Sequence, residues 1–388
     1  MRTVTVVGTS LAGLRAAQEL RAQGYDGELV LVGEEPHRPY DRPPLSKDFL
    51  LGTTTAAGCE LAGADELLEL RARWYLGTRA VRLDPGAGAV VLSDGTEIAT
   101  DGVVVATGAV ARSVTPQGNP AGVHTLRTLD DAVVLRRDLT AGSRVVVVGA
   151  GFIGAEVASA AAALGCVVTV VEAARVPLSG VLGDRIGAVA AALHADNAVR
   201  LLTGTPMVSV TVTGGRATGV ELTDGTRLPA DVVVAGIGAR PATAWLAGSG
   251  LAVDDGVRCD AGCVTTNPRV VAVGDVARCA GTRSEHWTTA SEQPVVAVHN
   301  LLAGATVRHH TRPGYFWSDQ YGIRLQFAGT AEGHDELEIV EGDPDERRFV
   351  AVYRRAGTLT GVFAMDSPRP FLRLRKRLHQ EAAMVQPG

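Results

Sequence analysis

The sequence is poor in aromatic residues and has no long uninterrupted apolar run. Aromatic side chains make up 4% of the 388 residues, whereas apolar residues make up 46% and glycine contributes 46 residues. This composition favours a folded chain with many tight turns and small-residue packing. The longest apolar stretch, residues 157–171, is too short to cross a bilayer. We expect it to divide into a helix and a strand.

Strong charge and cysteine motifs are also absent. The net charge of −5 gives no indication of binding to nucleic acid or an anionic membrane. No secretory signal peptide fits the opening MRTVTVVG. Five cysteines are present, without C-x-x-C spacing, and they are Cys59, Cys166, Cys259, Cys263 and Cys279. We therefore expect reduced thiols, no metal site and a cytoplasmic location.

A strand, a glycine turn and a helix are predicted at the start of the chain, in TVTVVGTSLAGLRAAQEL (residues 3–20). Gly8, Ser10 and Gly13 occupy the three positions of the G-x-G-x-x-G pattern. There a tight turn brings the backbone close to a pyrophosphate and lets the helix pack on the strand. Serine at the middle position weakens the pattern. The next strand is predicted to end at Glu34, whose carboxylate could bind ribose hydroxyls.

The pattern returns without departure in SRVVVVGAGFIGAEVASAAAALG (residues 143–165), at Gly149, Gly151 and Gly154. The strand that follows is predicted to end at Glu172. One such pattern is weak evidence. Two patterns, each with a strand, a helix and a terminal acid, predict two dinucleotide-binding units.

A longer repeat follows each pattern. Residues 90–109 and 220–239 both predict a hairpin around Asp-Gly, then a buried strand and a glycine turn. Ligands lie at the carboxyl ends of parallel strands, so residues 106–108 and 236–238, which include Thr107, Gly108 and Gly238, should lie beside the nucleotides. A later strand, residues 270–273, precedes Gly274 and Asp275, and we expect the chain to return to its first unit there.

A proline-rich segment, EEPHRPYDRPPLSKDFL, spans residues 34–50 and contains four prolines. Proline removes a backbone donor and fixes φ, so we predict a stiff irregular loop that is neither helix nor central strand. The segment holds one lysine, Lys47, and no cysteine.

Two longer motifs narrow the interpretation. RPYDRPPLSK and YFWSDQYGIRLQFAG (residues 315–329), with VAVGD before SEHWTTASEQ, resemble the NADH-dependent ferredoxin reductases of bacterial cytochrome P450 and aromatic-ring dioxygenase systems. The likeness covers nearly the whole chain and is weakest over residues 176–220 and 331–360. It implies an α/β fold, with two Rossmann-like dinucleotide-binding domains and a small α+β C-terminal domain.

The resemblance also implies domains and cofactors. FAD would occupy a discontinuous domain of residues 1–110 and 242–313, NADH a domain of residues 111–241, and residues 314–388 would form the C-terminal domain. Carried over position by position, the FAD contacts are Gly8, Ala12, Gly13, Glu34, Arg42, Lys47, Ala80, Arg127, Asp275 and Trp287. The nicotinamide nucleotide contacts are Gly149, Gly151, Ile153, Gly154, Glu156, Glu172 and Gly238.

Chemical roles follow from the same resemblance. Lys47, paired with Glu156, would stabilise charge on the flavin, although a solvated lysine is the alternative. Trp287 and Trp317 would lie beside the flavin ring, or otherwise pack in the core. Glu172 should repel a 2′-phosphate and favour NADH, whereas the nearby Arg175 could accept that phosphate.

The implied activity is that of an NADH:ferredoxin oxidoreductase, because a flavin can take up hydride and release single electrons. No cysteine precedes Cys59, so the redox cysteines of related disulfide and peroxide reductases are missing. Electrons should therefore pass directly to a docked ferredoxin. The basic segment of residues 368–377 is either a solvated helix face or a docking surface for that partner. A rubredoxin reductase and an NADH-sensing flavoprotein like apoptosis-inducing factor are the alternatives.

Overall fold

The computed structural model describes residues 1–115, 118 and 120–385. The helices are α1 (Leu11–Ala22), α2 (Asp48–Leu51), α3 (Ala64–Glu69), α4 (Leu129–Asp138), α5 (Phe152–Ala163), α6 (Ser179–Asp196), α7 (Trp287–Ala303) and α8 (Pro368–Val385). Short 3₁₀ helices lie at Pro43–Ser46, Ala57–Cys59, Ala244–Leu246 and Gly274–Val276.

The strands are numbered in chain order. In the first part of the chain they are β1 (Thr3–Val7), β2 (Glu28–Gly33), β3 (Ala72–Leu76), β4 (Ala80–Asp84), β5 (Ala89–Leu92), β6 (Glu97–Ala99), β7 (Gly102–Val105), β8 (Ala109–Ala111), β9 (Val123–Thr125), β10 (Arg144–Val148), β11 (Val167–Glu172), β12 (Arg200–Thr203) and β13 (Met207–Thr213). They continue with β14 (Arg216–Leu222), β15 (Arg227–Pro229), β16 (Val232–Ala235), β17 (Ala239–Pro241), β18 (Val257–Cys259), β19 (Val270–Ala272), β20 (Ala277–Cys279), β21 (Thr282–Arg283), β22 (Tyr315–Gln320), β23 (Ile323–Gly329), β24 (Glu336–Asp343), β25 (Arg348–Arg355) and β26 (Thr358–Met365).

The chain forms two compact units. The first contains Met1–Asp41, Cys59–Val110 and Arg240–Gly314. The second contains Arg42–Gly58, Ala111–Ala239 and the described residues from Tyr315 onward. The proline-rich segment therefore contributes Lys47 to the second unit, with the second glycine turn. The assignment of FAD and NADH to separate domains stays a prediction.

A parallel five-stranded sheet, in the order β19-β7-β1-β2-β3, forms the centre of the first unit. Its central strands are nearly continuous apolar runs because both faces are covered. Val4 and Val6 pack in one cluster with α1 and α7, whereas Val30 and Val32 pack in another with the antiparallel sheet β4-β5-β6.

The second unit repeats this construction. A parallel sheet in the order β12-β11-β10-β16-β9 packs against α4 and α5 on one face and against the antiparallel sheet β13-β14-β15 on the other. The predicted repeat is confirmed, since the hairpins β5–β6 and β14–β15 precede the buried strands β7 and β16. The division of residues 157–171 between α5 and β11 is confirmed as well.

The C-terminal part of the second unit is an antiparallel sheet in the order β22-β23-β26-β25-β24. Leu182 and Ile186 of α6 pack with Phe349 and Phe363 in one apolar cluster, and Phe371 of α8 belongs to another with the same sheet. Parallel Rossmann-like sheets with a separate antiparallel sheet confirm the predicted α/β fold class. In the described part of the chain, no helix is long and apolar enough to span a membrane.

Two local predictions were wrong. The proline-rich segment is partly helical, because Pro43–Ser46 forms a 3₁₀ helix and α2 follows at once. Proline is tolerated there, since the first residues of a helix have no intrahelical partner for their N–H groups. The strand β2 ends at Gly33 and not at Glu34, which lies one residue beyond the sheet.

Candidate functional site

The first glycine turn is closely packed. Gly8 follows β1 with a φ of 110°, and a Cβ atom there would lie 2.1 Å from the carbonyl oxygen of Ala106. A Cβ atom on Gly13 would lie 1.8 Å from the carbonyl oxygen of Gly8. Ser10, at the middle position, is the N-cap residue of α1 in extended backbone, and Ala12 is buried in the first turn of that helix.

The second turn has the same geometry with more open space. A Cβ atom on Gly149 would lie 2.4 Å from the carbonyl oxygen of Gly236, and one on Gly154 would lie 2.1 Å from that of Gly149. Gly151 is the N-cap residue of α5, and a Cβ atom there would meet no atom within 4 Å. The next residues include Ile153, which is 48% exposed. The amides at this helix start face a space that a ligand can enter.

Both turns fit a dinucleotide. Each opens the N-terminus of a twelve-residue helix, where amide groups and the helix dipole favour a phosphate. The first and third glycines close the turn against neighbouring backbone, which a larger residue would prevent. The residues present therefore fit the pyrophosphates of FAD and NADH.

The acids at the ends of the second strand of each unit differ, because Glu34 follows β2 whereas Glu172 ends β11. The side chain of Glu34 is 70% exposed and lies 3.9 Å from the guanidinium of Arg79. Glu172, the last residue of β11, accepts hydrogen bonds from the N–H groups of Ala150 and Ala174 at 2.7 and 2.8 Å. The Glu172 carboxylate is thus fixed beside the second glycine turn, whereas Arg175 is exposed.

The remaining predicted FAD residues of the first unit lie at strand ends and helix starts. Thr107 donates a hydrogen bond to the carbonyl oxygen of Ala242 at 2.8 Å. The indole N–H of Trp287, the first residue of α7, donates to Asp41 at 2.8 Å. Gly108 (φ 66°) follows β7, Ala80 begins β4 as a buried residue, and Asp275 lies in the 3₁₀ helix after β19.

Two predicted arginines meet in the second unit. The Arg42 guanidinium donates a hydrogen bond to the carbonyl oxygen of Arg127. The N–H of Arg127 in turn donates to Asp131 at 2.9 Å, at the start of α4. Gly238, with a φ of 90°, accepts a hydrogen bond from the N–H of Arg112 at 2.9 Å.

A buried polar network surrounds Glu156, which is 3% exposed. The Lys47 ammonium lies 2.7 Å from the Glu156 carboxylate, and Ser46 donates to the same oxygen at 2.5 Å. Ser318 of β22 donates to the other carboxylate oxygen at 2.7 Å, and Gln320 donates to the Ser318 hydroxyl at 3.0 Å. The Lys47 side chain keeps 16% exposure, so one charged group of this network reaches the surface.

Trp317 lies one residue before Ser318. Its ring stacks on that of Tyr315, with centroids 6.0 Å apart. The Arg375 guanidinium of α8 lies over the Tyr315 ring, 4.0 Å from its centroid. Arg375, which belongs to the basic segment, is therefore engaged within the chain.

The sequence interpretation missed the role of two serines. No sequence pattern assigned a role to either Ser46 or Ser318. Their partner Glu156 lies 110 and 162 residues away in the chain. The only sequence signal was that each serine adjoins a predicted flavin residue, Lys47 or Trp317.

Comparisons with known proteins agree with this geometry. Residues 2–294 match the family described as pyridine nucleotide-disulphide oxidoreductase, and residues 315–387 match the reductase C-terminal family. Putidaredoxin reductase CamA of Pseudomonas putida is 34% identical over 379 residues, which cover 95% of this chain and 89% of that protein. The ferredoxin reductase component of chlorobenzene dioxygenase from a Cupriavidus species is 36% identical over 392 residues, 99% of this chain and 94% of that protein.

A solved structure gives the same result. The crystal structure of the covalent putidaredoxin reductase–putidaredoxin complex matches with a TM-score of 0.93 and 33% identity, covering 98% of this chain and 93% of that one. The glycine turns, the antiparallel C-terminal sheet and these matches therefore lead to one assignment. The chain belongs to the pyridine nucleotide-disulphide oxidoreductase family, among the ferredoxin reductases of cytochrome P450 and ring-hydroxylating dioxygenase systems.

Proposed function

We propose that this protein is an FAD-dependent NADH:ferredoxin oxidoreductase. It takes hydride from NADH and passes single electrons to a ferredoxin that serves a cytochrome P450 or a ring-hydroxylating dioxygenase. Bound FAD supplies the exchange between a two-electron donor and a one-electron acceptor. We also propose a cytoplasmic location, because free thiols such as the five of this chain stay reduced there.

The Lys47–Glu156 pair is the observation that carries the proposal. A buried acid on the helix of a dinucleotide turn, paired with a lysine at 2.7 Å, is costly because both groups lose hydration, so a function is a reason for the chain to keep this pair. In the proposed site, Lys47 places a positive charge near the flavin, and Glu156, Ser46 and Ser318 hold that lysine in position.

The other predicted residues bind and orient the two cofactors. In this proposal the first glycine turn, with Glu34, Arg42, Ala80, Thr107, Gly108, Arg127 and Asp275, holds FAD. The second turn, with Ile153, Glu172 and Gly238, holds NADH. Trp287 and Trp317 flank the flavin and exclude water from it.

The basic helix α8 is the proposed docking element for ferredoxin. Arg373 pairs with Glu341 at 3.1 Å and Arg377 with Glu381 at 2.7 Å, so part of its charge is neutralised within the chain. Arg369 and Lys376 are exposed. Complementary charge mainly accelerates encounter. Reversing both charges should therefore slow ferredoxin reduction several-fold at low salt and less at high salt, whereas Arg200→Glu, at the exposed first residue of β12, should not.

Anaerobic stopped-flow mixing tests the function. NADH should bleach the yellow flavin absorbance, and a second mixing with an iron–sulfur ferredoxin should restore it as the ferredoxin becomes reduced. A persistent long-wavelength band with NADH, together with slow transfer to every ferredoxin offered, would instead identify an NADH-sensing flavoprotein. Transfer to rubredoxin but not to ferredoxin would assign a rubredoxin reductase.

A further inference from the structure

Three cysteines of the first unit lie together. Cys259 and Cys279 are paired neighbours on the parallel strands β18 and β20. Cys263 lies in the turn after β18, and its sulfur is 3.5 Å from the sulfur of Cys279. Cys263 is fully buried, whereas Cys259 and Cys279 are half-buried. This cysteine cluster (Cys259, Cys263 and Cys279) has no part in the proposed hydride and electron transfer.

The backbone holds Cys263 against its neighbour. Its φ of 64° lies in the left-handed region, which is unfavourable for a residue other than glycine. The Asp260 carboxylate fixes this turn by accepting hydrogen bonds from the N–H groups of Gly262 at 2.8 Å and Val264 at 3.0 Å. The turn therefore keeps the Cys263 sulfur beside Cys279 at a conformational cost.

The sulfur of Cys279 has the surroundings of a nucleophile. Hydrogen bonds from Cys259 and Cys263 lower the pKa of the Cys279 thiol, and His310 adds an electrostatic effect in the same direction. The side-chain amide of Gln293 also donates to this sulfur at 3.4 Å. A thiol with a lowered pKa beside a buried second thiol is the arrangement in which one cysteine is oxidised and the other resolves it.

We propose that Cys263 and Cys279 form a dithiol site that hydrogen peroxide oxidises to a disulfide. The Cys279 thiol gives up its proton, its thiolate attacks one peroxide oxygen and the O–O bond breaks. The hydroxide that leaves takes up that proton, so a sulfenic acid and one water form. The Cys263 sulfur then attacks the Cys279 sulfur, so that an S–S bond forms, the S–O bond breaks and a second water leaves. The two thiols lose two electrons and two protons, and peroxide is reduced to two water molecules.

Gln293 connects the cysteine cluster with the proposed flavin site. Its side-chain oxygen accepts a hydrogen bond from the N–H of Gly274 at 2.8 Å, while its nitrogen donates to Cys279. Gly274 begins the 3₁₀ helix that carries Asp275. A disulfide sulfur accepts hydrogen bonds more weakly than a thiolate, so oxidation should loosen this contact. We expect a second effect of oxidation, a lower affinity of the protein for FAD, because Gln293 also holds Gly274 beside Asp275. This second effect rests on the proposed function.

Peptide mapping tests the disulfide. The FAD-loaded protein is treated with hydrogen peroxide without NADH, its remaining thiols are blocked, and it is digested without reductant for mass spectrometry. We expect one cross-linked peptide pair joining Cys263 to Cys279, which dithiothreitol reverses. Cys263→Ser and Cys279→Ser should each abolish this pair. Cys166→Ser, a change in the other unit, and Cys259→Ser should both retain it.

Several results would overturn the dithiol site. They are a cross-link between Cys279 and Cys259, the irreversible oxidation of Cys279 without any cross-link, and no change of mass at either cysteine. Flavin binding is measured separately, by titrating FAD into the oxidised and the reduced FAD-free protein. A several-fold weaker affinity of the oxidised form supports the coupling through Gln293. Equal affinities would overturn the coupling while leaving the mapped disulfide in place.

Discussion

The two glycine turns share a backbone but differ in two residues that lie beside it. Register pairs Val7 with Val32 in the first unit and Val148 with Val171 in the second, so Gly33 corresponds to Glu172. Thr9 occupies the space beside Gly33. A Cβ atom on Gly33 would lie 2.2 Å from the hydroxyl oxygen of Thr9. In the second unit the small residue Ala150 stands at this position and its N–H binds Glu172. The acid of the second turn is therefore built into it, whereas Glu34 is not.

The helices that follow differ in the same way. Arg15 of α1 and Glu156 of α5 both lie seven residues after the first glycine of their turn. Arg15 is exposed, whereas Glu156 is buried because α2 and β22 also pack on α5. The repeated fold supplies the same backbone twice, and only the second copy adds the buried Lys47–Glu156 pair. The proposed chemistry therefore depends on the Lys47–Glu156 pair and not on the backbone that the two copies share.

Among the changes that test this comparison, removing the buried acid Glu156 should have the largest effect, and that effect is on the free energy of unfolding. Glu156→Gln leaves Lys47 without a counter-charge in a largely buried position, which typically costs about 3–5 kcal/mol. The equivalent change on the first helix, Arg15→Gln, should alter the free energy of unfolding by less than about 0.5 kcal/mol because that side chain is exposed. Urea unfolding of the two FAD-loaded variants measures the difference. Equal losses would mean that the burial of Glu156 has no energetic consequence.

Removing one hydroxyl from the network should have a smaller effect. Ser318→Ala deletes a hydrogen bond to a carboxylate, worth about 1.5–3 kcal/mol, and should slow flavin reduction by NADH roughly tenfold as Lys47 loses its fixed position. Ser318→Thr keeps the hydroxyl and should recover part of this rate. Ser143→Ala, which removes an exposed hydroxyl bonded to Thr140 in the same unit, is the control. A rate for Ser318→Ala equal to that of the control would contradict a positioning role.

The smallest of the predicted effects concerns Glu172, the acid that ends β11, and the choice between NADH and NADPH. Glu172→Gln removes the negative charge that we propose repels a 2′-phosphate, so the kcat/KM ratio of NADH to NADPH should fall about tenfold, or about 1.4 kcal/mol. Glu34→Gln, which changes the other turn, should leave this ratio unchanged. Steady-state kinetics with both nucleotides decides the point. An unchanged ratio in the Glu172 variant would contradict this role of Glu172 and leave the exposed Arg175 as the residue to test.

The glycine turns and the repeated hairpins could be predicted from the sequence because they depend on local backbone requirements. Gly8 and Gly149 require positive φ and close backbone approach, which few residues allow. The exact end of β2 could not be predicted, because Gly33 is fixed by its pairing with Leu76 on the neighbouring strand. The 3₁₀ helix in the proline-rich segment was not predicted, because its prolines were taken to exclude helix. Proline disfavours only the interior of a helix and is tolerated at its first residues.

The Glu156 network was only half predictable. The resemblance paired Lys47 with Glu156, but no local pattern could place Ser318 on the same carboxylate. That contact depends on how a strand of the C-terminal sheet packs against α5, over a separation of 162 residues. Tertiary packing of this kind leaves no periodic signal in the chain.

The Lys47→Met variant tests the central claim most directly. Wild-type and variant protein, each loaded with FAD, are mixed with NADH without oxygen, and the loss of flavin absorbance is followed by stopped flow. We predict full FAD binding in both proteins and flavin reduction at least about tenfold slower in the variant, because the positive charge that we propose lies near the flavin is gone. Unchanged reduction kinetics in the variant would contradict the proposed role of Lys47.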